Sequence, residues 1–110
     1  MKISQKAAVL PPVEHTLRSI GRSVRALRRA RRLTIGSAAA QAGVSASTMN
    51  RIERGDPSVS IGAYASVFHA LDVLGAIERS ILDQMTKALN LFMDEHLPKR
   101  ARAQRSRYDF

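Results

Sequence analysis

The chain has 110 residues, 45% of them hydrophobic, no cysteine and a formal charge of +9. That length suits one domain with a modest core, and the absence of cysteine excludes disulfides, thiolate zinc sites and a cysteine nucleophile. The basic surplus points to a polyanionic partner, and it is unevenly spread. Seven arginines lie between Arg18 and Arg32 and five basic residues between Lys99 and Arg107, whereas Ser58 to Leu97 has only Arg79 and Lys87 against five acids. The basic part is expected to meet phosphates and the acidic part to meet protein, because long-range attraction to a polyanion favours that orientation.

Residues 1–13 hold Lys2, Lys6 and a Pro-Pro pair without sustained period, so a flexible N-terminal arm is expected there. Its apolar run, Ala7 to Leu10, is too short for the core of a signal peptide. The best candidate for a membrane span, Ala70 to Ile77, is interrupted by Asp72 and falls far short of the roughly 18 apolar residues required. A soluble, cytoplasmic, nucleoid-associated protein with no membrane partner is the expectation.

From Glu14 to Leu33 the period becomes helical, with Leu17, Ile20, Val24 and Leu27 as a core stripe. Arg18, Arg22, Arg25, Arg29 and Arg32 form a second stripe on the opposite side, with no acid in it to make i,i+4 pairs. Phosphate contact, with Arg29 and Arg32 as the named candidates, stands beside an ordinary solvated face. A membrane-surface helix is disfavoured, because the apolar face carries no Trp, Phe or Tyr.

Thr34 to Gly55 reads as two short helices joined by a tight turn. Thr34 caps the first, Gly43 ends it, Ser45 caps the second, Met49 and Ile52 face a core, and Gly55 is a left-handed stop. With Met49 and Ile52 inward, Ala46, Ser47, Asn50 and Arg51 face outward on the N-terminal and middle turns, where a major groove is read. Arg51 suits guanine O6 and N7, Asn50 suits adenine N6 and N7, Ser47 a base or phosphate, and Ala46 a thymine methyl. Thr48 and Arg54 are better placed for backbone phosphates. An αα-hairpin with merely polar outer faces is the alternative.

Gly55-Asp56-Pro57-Ser58 is a turn, and Ser60 caps a further helix whose Ile61, Tyr64, Ala65, Phe68 and Leu71 are expected to roof the pair. Asp72 to Leu97 continues an amphipathic pattern through Leu74, Ile77, Ile81, Met85, Ala88, Leu89 and Phe92, with a break expected near Gly75 or Asp83 if anywhere. This face suits a homodimer or partner surface, or folds back on its own core. Pro98 ends the pattern, leaving residues 98–110 as a basic disordered tail. His15, His69 and His96 are isolated and read as surface residues, so no metal site is expected.

The run Leu27-Arg28-Arg29-Ala30-Arg31-Arg32-Leu33-Thr34, the Ala-Gly-Val-Ser at Ala42 to Ser45, and Ile52-Glu53-Arg54-Gly55 resemble the Cro/C1-type (XRE) helix-turn-helix regulators. The resemblance covers about Leu17 to Leu74. It implies an all-α, lambda-repressor-like DNA-binding domain of four to five helices, with a C-terminal helical extension, spanning residues 14–97. It also implies that Arg28 and Glu53 form a structural ion pair, that Ala39 is the small residue at the helix crossing, and that Ala46, Ser47, Asn50 and Arg51 read bases. Two departures stand out: Ile35 replaces a glutamine that contacts DNA, and Ala38 replaces a leucine, which predicts a shallower core or one filled from another helix.

A narrower resemblance, carried by Glu-Arg-Gly-Asp-Pro-Ser-Val-Ser-Ile-Gly at Glu53 to Gly62 and by Leu97-Pro98-Lys99-Arg100, is to HipB-like antitoxins. These repress their own operon and bind a HipA-like kinase toxin. The expectation is thus a dimeric repressor that binds double-stranded DNA, with the antitoxin of a HipA/HipB-like pair as its narrower form, requiring no cofactor. The alternatives are a protein-interaction module whose main role is toxin neutralisation, or a nonspecific nucleic-acid binder. An enzyme is not expected, because no phosphate loop, carboxylate pair in a plausible site or His cluster is present.

Overall fold

A computed structural model describes residues 9–96. Among them the chain is all-α, with α1 Pro11–Ala30, α2 Ile35–Ala42, α3 Ala46–Glu53, α4 Ile61–Ala70 and α5 Leu74–His96, and no strand. Residues 1–8 of the expected 1–13 arm, Leu97 and the expected tail, residues 98–110, lie outside the described residues.

Helix α1 begins three residues before the expected Glu14, because Pro11 and Pro12 occupy its first turn. There a missing N–H leaves no bond unmade and the fixed φ is already helical. The Leu10 carbonyl accepts the first bond, from the Glu14 N–H at 3.0 Å.

Three side-chain caps set the following helices in register. The Thr34 hydroxyl accepts from the Ser37 N–H at 3.0 Å, Ser45 from Thr48 at 3.0 Å, and Ser60 from Ala63 at 3.1 Å. Each such cap contributes about 1 kcal/mol. Gly43 ends α2 at φ 70°, a left-handed turn that lets α3 start within three residues.

The core of the first compact unit, which ends at Gly75, joins Val24, Ala38, Ala39, Met49, Ile52, Tyr64, Val67 and Leu71. Leu17, Ile20, Leu27, Leu33, Ile35 and Phe68 pack around it half-buried. Ala38 and Ala39 are both 2% exposed, so the small residue at Ala38 is enclosed by its neighbours. Ile61 was expected in this core and is instead 87% exposed. Helix α4 buries Tyr64 and Val67, with Leu71 following them, so its packed face begins one turn after Ile61.

Helices α1 and α3 touch through backbone. A Cβ on Gly21 would lie 2.5 Å from the Glu53 carbonyl oxygen and 2.7 Å from that of Ile52. Gly55, at φ 72°, meets the backbone of Leu17 and Arg18 equally closely.

The second unit starts at Ala76. Helix α5 runs unbroken through Gly75 and Asp83, and exposes Ile81, Leu82, Met85, Leu89, Leu91 and Phe92. Lys87 pairs with Asp83 at 3.0 Å, and Phe92 stacks on His96 with ring centroids 4.1 Å apart.

Candidate nucleic-acid interface

Burial orients α3. Met49 and Ile52 have no exposed surface, so the helix is anchored by one face and shows the other to solvent. Ala46, Ser47 and Asn50 lie on that exposed face. Their short side chains allow close approach of the helix to a groove about 12 Å wide. Thr48 is half-buried, and its hydroxyl oxygen accepts from the Ser45 hydroxyl at 3.0 Å beside the cap. Arg54 is exposed and forms the C-cap, its N–H donating to the carbonyls of Asn50 and Arg51 while the Gly55 N–H donates to that of Ile52.

Arg51 is only half-exposed, unlike its outward neighbours. Its Nε donates to Asp56 Oδ2 at 3.0 Å and its Nη2 to the Ser58 hydroxyl at 2.5 Å. Ser58 in turn donates to Asp56 Oδ1 from its hydroxyl at 2.7 Å and from its backbone N–H at 2.9 Å. These Ser58 bonds first, and the Arg51 guanidinium after them, hold the Asp56 carboxyl at about 2, below its ordinary 3.8. Two further bonds fasten this loop: the Asp56 N–H donates to the Arg51 carbonyl at 2.9 Å, and the Tyr64 hydroxyl to the Asp56 carbonyl at 2.8 Å. Burial pushes the Tyr64 phenol above its usual range, so it remains a donor.

Behind this face lies the ion pair of Arg28 and Glu53. Arg28 Nε meets Glu53 Oε2 at 2.6 Å and Nη2 meets Oε1 at 3.1 Å, a bidentate pair with side chains 11% and 7% exposed. The remaining Nη1 donates to the Leu33 carbonyl at 2.8 Å. One guanidinium therefore ties α1 to α3 and to the loop before α2. The hydrogen bond that Arg28 donates to Glu53 is the main influence raising the Arg28 pKa, so the charge is permanent.

Helix α1 and these loops carry an excess of positive charge. Of the four carboxylates between residues 9 and 75, three are held in pairs with Arg18, Arg28 and Arg51. The Arg18 pair, with Glu14 at 2.6 Å, corrects the expectation that the arginine stripe has no acid within reach; Glu14 lies one turn earlier on the same side. Arg22, Arg25, Arg29, Arg31, Arg32 and Arg54 are exposed and have no carboxylate partner among the described residues. Arg32 is turned into the left-handed region at φ 57°, just past the end of α1.

A capped, two-sided helix preceded by a tight glycine turn, locked to a basic helix through a buried pair, is a recurring way of presenting side chains to DNA. The sequence profile of the helix-turn-helix domain matches residues 19–82, more than half of the chain. The chain belongs to the helix-turn-helix domain family. The match takes in α1 from Ser19, both helices of the helix-turn-helix itself, α4, and the start of α5. Comparison with curated proteins and with solved structures found no match.

Within this helix-turn-helix, sequence reasoning missed Asp56 and Ser58. The signal was present in the Asp-Pro-Ser after the helix stop, an order in which aspartate commonly accepts from the backbone two residues on. What could not be foreseen was that the same carboxylate also reaches back to Arg51.

Proposed function

We propose that this helix-turn-helix protein is a sequence-specific DNA-binding regulator of the Cro/C1 type, a repressor that acts by occupying an operator. The observation that carries the reading is the row of Ala46, Ser47 and Asn50 exposed on an α3 whose other face is fully buried, with Arg51 and Arg54 beside it. The arginines without a carboxylate partner among the described residues supply the second requirement, since phosphate contacts position a reader that base contacts make specific. In this reading Ala46, Ser47, Asn50 and Arg51 face the bases, while Thr48, Arg54, Arg29 and Arg32 meet phosphates.

The protein acts as a dimer that spans two half-sites about one helical turn apart. The exposed apolar residues of α5 support a self-associating face. The resemblance of Glu53 to Gly62 to HipB-like antitoxins extends the reading to a HipA-like kinase toxin, met by the acidic C-terminal half or the basic tail.

Selection of bound duplexes from a random pool tests the core of this proposal. An enriched, two-fold symmetric sequence is expected, and Arg51→Ala should weaken binding to it by about 5- to 150-fold while hardly changing affinity for random DNA. Failure to enrich any sequence would refute specific reading and favour a nonspecific binder. Sedimentation of the free protein tests the dimer, which Leu89→Glu should dissociate.

A further inference from the structure

The loop between α3 and α4 does more than turn the chain. A guanidinium has five N–H donors arranged along two usable edges, one formed by Nε and Nη2 and one by Nη1 and Nη2. On Arg51 the first edge is fully engaged, with Nε on Asp56 and Nη2 on Ser58. The second edge, two parallel N–H groups, has no partner among the described residues. It is this parallel pair that matches the O6 and N7 acceptors of guanine.

We infer that Asp56 and Ser58 are positioning residues for base recognition, holding the Nε edge of Arg51 so that its terminal edge is left to read a guanine. The inference rests on the reading of α3 as the base-reading helix.

Three features make the arrangement suited to this task. The ring is closed, because Ser58 both accepts from Arg51 and donates to Asp56, so neither partner of the arginine can swing away alone. The loop that carries the two residues is itself fastened at Asp56, whose N–H donates to the Arg51 carbonyl and whose carbonyl accepts from the Tyr64 hydroxyl. An arginine ordered before binding loses less side-chain freedom when it binds. The carboxylate also offsets the charge of Arg51, so this residue adds little to attraction for arbitrary phosphates and retains its directional donors. The pairing thus favours discrimination over general affinity. Asn50, one residue earlier on the exposed face, has no such brace among the described residues.

The test is the base preference of the full-length protein, measured with the best duplex from a random pool and with its single-base variants. Arg51→Ala identifies the base pair that Arg51 reads, by loss of preference there alone. Asp56→Asn places an amide against the Arg51 Nε, and is expected to reduce preference at that same base pair by fivefold or more. It should leave preferences elsewhere intact and the affinity for random DNA unchanged or slightly higher. Ser58→Ala, at an exposed position, removes one of the two braces and should give a smaller loss at the same base pair. In the Arg51→Ala background neither substitution should have a further effect.

A role confined to holding the loop would lower affinity for every duplex alike, with the preference at that base pair preserved, and this outcome overturns the inference. Unaltered preference in both Asp56→Asn and Ser58→Ala overturns it as well. If the wild-type protein itself enriches no sequence, the base-reading assignment fails before the positioning role is reached, so the two failures are separable.

Discussion

Replacing Glu53 by alanine strips a buried guanidinium of its counter-charge. Arg28 is 9% exposed and loses the acceptors of Nε and Nη2, keeping only the Leu33 carbonyl on Nη1. Removing one member of a buried pair costs about 3–5 kcal/mol, because the charge left behind has neither water nor partner. Domains of this size are stable by about 5–15 kcal/mol in total, so Glu53→Ala should remove a large share of that. At about 4–8 °C per kcal/mol, the melting temperature should fall by at least about 12 °C. Urea unfolding followed by far-ultraviolet circular dichroism measures the loss directly. The double variant Arg28→Met, Glu53→Leu removes both charges and fills the space with apolar atoms, and should recover all but about 1 kcal/mol. A single-variant loss below about 1 kcal/mol, the size of an exposed pair, would refute the reasoning. So would a double variant no more stable than Glu53→Ala.

Alanine at three glycines should separate close approach from backbone strain. Gly21→Ala drives a Cβ into the Ile52 and Glu53 carbonyls, at a cost of about 3 kcal/mol or more; Gly43→Ala meets nothing within 4 Å but keeps φ 70°, at about 1 kcal/mol; Gly36→Ala, helical and unobstructed, should stabilise by about 0.5–1 kcal/mol. Thermal melts that place Gly21→Ala at or above Gly43→Ala would contradict the backbone contact of α1 with α3. Acid titration of stability should show the Asp56 brace: its carboxyl titrates at about 2 when folded and near 3.8 when free. The contribution is therefore whole above about pH 4 and is lost as the pH falls through about 2, a limb that Asp56→Asn should flatten.

Much of the helix-turn-helix was legible from local chemistry. Thr34, Ser45 and Ser60 cap helices because a hydroxyl reaches an N–H three residues on, and that geometry needs no distant partner. Gly43 and Gly55 stop the chain in left-handed turns for a similarly local reason, and the burial of Met49 and Ile52 follows from their spacing. Helical period alone likewise places Leu17, Ile20, Val24 and Leu27 toward one side of α1.

Other features depend on which elements meet, and period carries no such information. Ile61 continues the apolar spacing of α4 yet stands in solvent, because the packed face of that helix starts with Tyr64. Gly21 gave no turn signal; its role exists only where α1 lies against the carbonyls of α3. Arg51 shares its helix with Asn50, and the spacing along α3 treats them alike. A loop folded back by Tyr64 gives one of them a carboxylate and a hydroxyl. Local hydrogen bonds made the helices, and the packing between them set which polar side chains are free to meet a partner and which are held.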